Sequence, residues 1–269
     1  MAMLRANGVA LYHEVRGTGP SVVLVHGSWV DADSWERVLP GLAAECKVVA
    51  YDRRGHGRSE EVLTQGSVHE DAADLAGLIE GLRLAPAFVV GTLYGAMVAL
   101  RLAVARPDLV RGIAAHEPPA IGLLASDPDR RRVADAAVAR VAPVRTLLER
   151  GETAAAAELF VETVTFGPGA WSKLPAPLRH AYIRNAPTFL DELRDPDAYD
   201  LDLDALGGFT ETVLLTQSDD GGPERTGALD TIDLALPKAE RHVYGGGGRE
   251  PHVVEPAEFV RVVLPYALG

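Results

Sequence analysis

Carboxylates follow two of the apolar runs along this chain, at places where they could move a proton. Glu117 comes after the run 112–115, and Asp219 and Asp220 come shortly after the run 213–216. A carboxylate acts as a general acid or base when burial and neighbouring charges bring its pKa near the working pH. Side chains of this type could move a proton if the fold brings them to a ligand.

Short apolar runs alternate with helical patterns in the first half of the chain. Runs that are apolar on both faces are typical of buried parallel strands. The pattern predicts strands at 21–25, 47–51, 88–90 and 112–115. Between them, Ser67 and Glu70 form a capping box that begins a predicted helix over 67–82, and a helix of small residues is expected over 95–105.

The middle of the chain changes to a helical pattern. Residues from about 120 to 208 are rich in Ala, Arg and Leu, with no strand pattern. Strands resume at 213–216 and 240–244, and a last helix is expected from about Pro256. A helical block inserted between two strands of a parallel sheet indicates a cap over the carboxyl edge of that sheet, where ligands bind.

These patterns predict an α/β fold with a mostly parallel central sheet flanked by helices. The core is expected to comprise residues 1–119 and 210–269, and the helical cap residues 120–209. The cap carries five aromatic residues, which are Phe160, Phe166, Trp171, Tyr182 and Phe189. Together they predict a pocket that holds a bulky, partly apolar ligand.

Composition and charge exclude several classes of partner. The chain has 269 residues and a formal net charge of −12, which argues against nucleic acid or an anionic membrane surface. Cys46 is the single cysteine, so neither a disulfide framework nor a Cys-rich zinc site is possible. No apolar stretch has the length of a signal peptide or membrane helix, and we expect a cytoplasmic protein. No motif indicates a metal, nucleotide or phosphate site, so no cofactor is expected.

Four motifs occur in an order that resembles the α/β-hydrolase superfamily. His26-Gly27 is similar to that family's oxyanion loop, and residues 51–59 (YDRRGHGRS) are similar to its loop after the next strand. Residues 90–96 (VGTLYGA) lie where the nucleophile elbow belongs, and residues 248–252 (GREPH) lie where the catalytic histidine belongs. The resemblance spans nearly the whole chain and implies the α/β-hydrolase fold, although a fold does not determine a function.

Two positions depart from the chemistry of the family. The elbow motif G-x-S-x-G holds a serine nucleophile, whereas Leu93 stands between Gly91 and Gly95 here. Arg249 stands where the family has its histidine, and a guanidinium cannot accept a proton at pH 7. Leucine cannot attack a carbonyl group, so Ser-His-Asp hydrolysis is excluded by residue type. The elbow also requires a strained backbone, so either Leu93 has a positive φ or the turn has relaxed.

The resemblance implies several residues that bind a ligand. The backbone N–H groups of Ser28 and Tyr94 are expected to form an oxyanion hole. The ligand-contacting side chains are expected to be His26, Trp29, Leu93, Trp171 and Arg249. The Ser28 hydroxyl could face the pocket as a displaced nucleophile, but no obvious base adjoins it in the sequence.

The resemblance implies which residues could transfer protons. Asp219 and Asp220 follow the strand after which the family usually has its acid, and Glu117 follows the strand that carries the acid in some members. Asp219, Asp220 or Glu117 is expected to form an ion pair with Arg249. His252 is the imidazole that remains near the predicted site. These four acids and bases, without Arg249, are the catalytic candidates.

Three functions fit these residues. The first is a cofactor-independent, non-hydrolytic enzyme, such as an epimerase, isomerase, lyase or cyclase, that acts on a bulky natural-product-like or peptide-like molecule. The second is a catalytically inactive protein that binds or senses a ligand in the same pocket. The third is a hydrolase that uses displaced residues. A small-molecule or peptide ligand and a monomer or homodimer are expected in each case.

Overall fold

The computed structural model of the chain describes residues 2–125, 127–245 and 250–269. Eight strands of this part of the chain form one sheet. In chain order they are β1 (Ala2–Ala6), β2 (Val9–Arg16), β3 (Ser21–Val25), β4 (Lys47–Tyr51), β5 (Ala87–Thr92), β6 (Val110–His116), β7 (Thr212–Ser218) and β8 (Ala239–Tyr244).

The sheet is parallel except at one edge. Its strand order is β1-β2-β4-β3-β5-β6-β7-β8. β2 is antiparallel to both of its neighbours, whereas the strands from β4 to β8 are all parallel. The carboxyl ends of the parallel strands therefore meet at one edge, and Glu117 lies there directly after β6. The predicted fold class, an α/β-hydrolase fold with a mostly parallel sheet, is confirmed.

Helices connect the parallel strands, and the last helices follow β8. Within the described residues the α-helices are α1 (Leu39–Ala43), α2 (Val68–Gly81), α3 (Tyr94–Ala105), α4 (Pro128–Glu149), α5 (Thr153–Phe160), α6 (Ala176–Arg194), α7 (Leu203–Gly207), α8 (Pro223–Ala235), α9 (Pro251–Val254) and α10 (Pro256–Leu268). The capping box predicted for α2 is present, because the Ser67 hydroxyl accepts the N–H of Glu70 and donates to the Glu70 carboxylate. None of the helices in these described ranges has the length and hydropathy needed to cross a bilayer.

Two helical layers bury the two faces of the sheet. Leu75 of α2, Met97 of α3 and Leu229 of α8 pack on one face. Leu42 of α1 and Phe259 of α10 pack on the other. All five are buried, and each such side chain contributes roughly 1.5–3 kcal/mol relative to an exposed one. The sheet is thus covered on both faces, which leaves the carboxyl edge for a ligand.

The chain between β6 and β7 forms a separate apolar cluster over that edge. Side chains of α4, α5 and α6 pack there on Trp29, which belongs to the loop after β3. Asn185 of α6 fixes the contact, because its side-chain amide donates to the Trp29 carbonyl and accepts the Gly57 N–H, both at 3.1 Å. These helices are called the cap below. Core and cap boundaries at residues 119/120 and 209/210 stay a prediction.

The elements that the sequence pattern did not indicate are the strands β1 and β2 and the helices α1, α8 and α9. The five residues of β1 form an edge strand that is largely exposed except at Ala6. Such a strand lacks the continuous apolar run that marks the central parallel strands. Antiparallel edge strands therefore escape a search for buried runs.

The turn between β5 and α3 depends on glycine for a close approach of two backbones. A Cβ at Gly95 would lie 2.2 Å from the Val25 carbonyl oxygen and 2.6 Å from that of His26. We expect Gly95→Ala to lower the free energy of unfolding by about 1–3 kcal/mol, because overpacking forces backbone shifts. Urea unfolding measures this change.

Gly245→Ala is the matched control. A Cβ at Gly245 has no described heavy atom within 4 Å. If both variants unfold at the same urea concentration, the close approach at Gly95 does not limit stability.

Candidate active site

The nucleophile-elbow backbone is present and carries Leu93 at its apex. Leu93 has φ 52° and ψ −120°, between the end of β5 and the first residue of α3. Its N–H donates to the His116 carbonyl at 2.8 Å. A Cβ at Gly91 would lie 2.4 Å from the Gly95 carbonyl oxygen, so both glycines of the motif are required by geometry. Of the two alternatives, Leu93 has the positive φ and the turn has not relaxed.

The loop after β3 lies directly against this elbow. A Cβ at Gly27 would be 3.3 Å from the Leu93 Cβ. His26 braces the loop, since its Nε2 accepts the Arg53 N–H at 2.9 Å and its Nδ1 lies 2.8 Å from the Gly27 carbonyl oxygen. Burial, together with the charge of Arg53, lowers the pKa of His26 to about 3. His26 is therefore neutral, and it is not among the residues that line the cavity described next.

A cavity of about 320 Å³ lies between the sheet edge and the cap. Ser28, Leu93 and Glu117 of the core line it, together with many side chains of the cap. Trp29 anchors its aromatic wall, stacking on Phe160 with ring centroids 4.6 Å apart. Further apolar residues around it are Ile121, Val138, Val141, Val164, Tyr182, Phe189 and Leu193. The cavity is suited to a largely apolar small molecule.

The hydroxyl of Ser28 has a carboxylate partner on the cap. Ser28 Oγ donates to Glu192 Oε2, although the two residues are 164 positions apart. The other oxygen of Glu192 accepts from Arg53 Nη2 at 2.6 Å. Glu192 lies on α6 and is 4% exposed, whereas Ser28 is half-buried. A hydroxyl that lines the cavity is thus joined to a buried carboxylate and, through it, to a buried guanidinium.

The electrostatic environment tunes Glu192 towards neutrality. Burial raises the pKa of its carboxyl to about 7, against the opposing effects of Arg53 and the Ser28 hydroxyl. Asp71 lies 3.9 Å from Arg53 Nη1 and adds to the rise. A carboxylate with a pKa near the working pH is well matched to general base catalysis.

Glu117 lies at the sheet edge but is held in an ion pair. Its backbone has φ 43°, and its Oε1 accepts the Ser218 N–H at 2.9 Å. Its Oε2 lies 3.0 Å from Arg225 Nε, and both residues line the cavity. Glu117 and Arg225 therefore give the cavity a polar, ion-paired part of its wall.

The other residues predicted for the site lie elsewhere or outside the described chain. Asp219 and Asp220 are exposed and do not line the cavity, and Trp171 packs within the cap. His252 is buried against Trp35, with ring centroids 4.4 Å apart, and burial lowers its pKa to about 3. Arg249 lies outside the described residues. Roles for these residues in proton transfer or binding, and the oxyanion hole at Ser28 and Tyr94, stay predictions.

Glu192 is the residue that the sequence did not reveal. It stands on the same helical face as Phe189 and Tyr182, which are buried. A carboxylate on an apolar helical stripe is a signal of a buried, partnered acid. The sequence could not identify the partner, because only the fold brings α6 onto the loop after β3. Within the described residues, no cluster of three or more His, Cys, Asp or Glu has a geometry that would hold a metal ion.

The chain belongs to the α/β-hydrolases. The sequence model described as "Alpha/beta hydrolase family" matches residues 22–262. Among solved structures, the enol-lactonase from Burkholderia xenovorans LB400 superposes with a TM-score of 0.81 at 17% identity, covering 100% of both chains. At that identity the similarity shows the fold alone.

Curated relatives match part of the chain. The uncharacterized hydrolase YraK of Bacillus subtilis is 37% identical over 123 residues, which are 45% of this chain and 45% of that protein. Epoxide hydrolase B of Mycobacterium tuberculosis is 38% identical over 128 residues, 44% of this chain and 35% of that protein. The chain thus matches less than half the length of either relative.

These relatives correct the function expected from the sequence. The prediction of a non-hydrolytic epimerase, isomerase, lyase or cyclase is wrong, because the relatives are named hydrolases. Nothing in the comparisons indicates an inactive, ligand-binding member either. That prediction was based on Leu93 and Arg249, which replace the nucleophile and the base of the family. These two replacements leave other hydroxyls and carboxylates at the cavity.

The positive φ of Leu93 strains the backbone, and substitutions at this position can measure the contribution of that strain to stability. Leu93→Gly and Leu93→Ala both remove the side-chain contacts, but glycine alone adopts φ 52° without steric cost. We expect Leu93→Gly to be more stable than Leu93→Ala by about 1 kcal/mol in urea unfolding. The reverse order would mean that the backbone at the apex stores no strain.

Proposed function

We propose that this chain is a hydrolase that cleaves a carboxylic ester or lactone in a largely apolar small molecule, with Ser28 as the nucleophile and Glu192 as the general base. The observation that carries the proposal is the hydrogen bond from Ser28 Oγ to the Glu192 carboxylate at the cavity wall. The hydrolase names of the relatives support the reaction class. The apolar residues of the cavity support the substrate class.

Acylation of Ser28 is the first step of this mechanism. Ser28 Oγ attacks the carbonyl carbon of the substrate while its proton passes to Glu192 Oε2, so a tetrahedral oxyanion forms. The N-terminus of α3, where Tyr94 is the first residue, supplies N–H groups without partners inside the helix. The protonated Glu192 then gives the proton to the leaving alkoxide, and the carbon–oxygen bond breaks.

Deacylation uses the same base. Glu192, ionised again, accepts a proton from a water molecule whose oxygen attacks the acyl carbon. The tetrahedral intermediate collapses, Ser28 Oγ leaves and regains its proton from Glu192, and the carboxylic acid is released. Arg53 keeps Glu192 in place throughout, because its guanidinium is 1% exposed and bonds to the oxygen that does not contact Ser28.

Ser28→Ala and Glu192→Gln test the nucleophile and the base. Each is expected to lower kcat/KM on p-nitrophenyl esters by at least about 100-fold, the scale of a lost nucleophile or general base. A fluorophosphonate probe is expected to label the peptide that contains Ser28 in the wild-type chain, and not in Ser28→Ala. Peptide mass spectrometry locates the label.

Ser172→Ala and Glu158→Gln are the matched controls. Both positions are exposed on the cap and do not line the cavity. Thermal unfolding of every variant separates loss of chemistry from loss of structure. Full activity in Ser28→Ala, or a label on another residue, would contradict the proposed nucleophile and leave the Ser28–Glu192 contact as a structural link between core and cap.

The reaction is expected to depend on pH through Glu192. The base must be ionised, and burial raises the pKa of Glu192 to about 7, so kcat/KM should fall tenfold per pH unit below about 7 and be level above it. The buried His26 and His252 do not produce this limb, because burial lowers the pKa of each to about 3. A pH–rate profile of the wild-type chain measures the inflection.

Asp71→Asn tests the assignment of that inflection. Burial raises the pKa of Asp71 to about 6, and Asp71 lies on the far side of Arg53 from Glu192. If Glu192 is the base, the acidic limb remains in Asp71→Asn with an inflection slightly lower in pH, because a negative charge near Glu192 has been removed. Disappearance of the limb in this variant would assign it to Asp71.

A further inference from the structure

A second, polar chamber lies behind Glu192. Its volume is about 40 Å³, and its walls include Arg53, Asp71, Tyr94, Thr188 and Glu192. A buried water requires roughly 10–15 Å³ of such volume and two to four polar partners, so the chamber has room for about three or four waters. Its charged and hydroxyl-bearing walls contrast with the apolar cavity on the other side of Ser28.

The guanidinium of Arg53 has donors that face no protein acceptor. Among the described residues, Arg53 Nε and Nη1 are buried and have no hydrogen-bond partner. The nearest carboxylate to Nη1 is Asp71, at 3.9 Å, which is too far for a direct hydrogen bond. A buried donor without a protein partner is typically satisfied by water. These atoms therefore point to water as the occupant of the chamber.

Glu192 and Tyr94 form the partition between chamber and cavity. Tyr94 lines both spaces, and the Arg53 guanidinium lies 4.5 Å from the centre of its ring. Glu192 lines the chamber, while its Oε2 accepts from Ser28, which lines the cavity. One carboxylate is thus within reach of both the chamber and the nucleophile.

The chamber reaches the protein surface beside the loop before α2. Thr64 is exposed and Gly66 is half-buried, and both belong to its walls. This mouth is distinct from the cavity, whose lining residues come from the cap, the loop after β3, the carboxyl ends of β5 and β6, the start of α8 and Glu250. Water can therefore reach Glu192 without passing an apolar substrate.

We propose that this chamber, lined by Arg53, Asp71, Thr188 and Glu192, is the water route of the enzyme and supplies the water that deacylates Ser28. The inference rests on the proposed function, because it assigns the source of the second substrate in that mechanism. A bulky acyl group fills the apolar cavity after the first step and excludes water from that side. The Glu192 carboxylate then takes the proton from a water that arrives through the chamber.

Gly66→Leu tests the route by filling its mouth. A Cβ at Gly66 would lie 3.7 Å from Asp191 Oδ2, which is ordinary contact, so a side chain is accommodated at its root. Acylation consumes no water, and deacylation consumes one. With a p-nitrophenyl ester we therefore expect a burst of one equivalent of p-nitrophenolate, kcat and KM both lowered at least tenfold, and an unchanged kcat/KM. Intact mass spectrometry should show the acyl-enzyme in the steady state.

Gly66→Ala is the matched control, because its methyl group leaves the mouth open, and wild-type kcat is expected. Val62→Phe is a second variant at the same mouth, for use if Gly66→Leu does not fold. An unchanged kcat in a folded mouth-filling variant, or a fall in kcat/KM, would overturn the water route alone. Absence of any Ser28-dependent ester or lactone cleavage by the wild-type chain would overturn the proposed function and the route with it.

Discussion

A positive charge buried beneath the cap is the interaction on which the arrangement of core and cap depends. The Arg53 side chain is 1% exposed and pairs with Glu192, which belongs to a cap helix. A buried charge without a partner costs several kcal/mol, and Arg53 has two carboxylates near it, Asp71 of the core at 3.9 Å and Glu192 of the cap at 2.6 Å. The geometry that neutralises Arg53 also brings the second oxygen of Glu192 to Ser28. Docking of the cap and assembly of the proposed site are therefore one event.

The nucleophile-elbow turn keeps its strained backbone although Leu93 replaces the serine of the family motif. Gly91 and Gly95 fix the turn by close approach of backbone to backbone, and the Leu93 N–H is bonded to the neighbouring strand. The conformation is thus over-determined by its surroundings, which is the condition for strain to be retained. Leucine at the apex gives the cavity an apolar side chain, and the hydroxyl of the proposed nucleophile, Ser28, lies on the adjacent loop after β3.

Patterns local in sequence were sufficient to predict the parallel strands of the sheet and the helix α2 that packs on it. Continuous apolar runs indicated the parallel strands, and the Ser67–Glu70 capping box marked the start of α2. Position after a strand was a weaker guide to the site: Glu117 lies in the cavity wall, whereas Asp219 and Asp220 are exposed. The helical periodicity of the sequence places Glu192 on the buried face of α6. The same periodicity does not indicate which core residue this face contacts.

Ser28 and Glu192 are far apart in the sequence although they are hydrogen-bonded, and this separation limits how the chain can change during evolution. The proposed nucleophile and base are 164 positions apart, one in the core and one in the cap, so neither part holds the proposed pair by itself. Recombination that replaced the cap by one with an apolar residue at this place would leave Arg53 with the more distant Asp71 carboxylate alone and Ser28 without its proposed base. Core and cap of this chain must therefore be inherited together, as a matched pair, and changes of substrate range have to arise among the apolar side chains that surround that fixed contact.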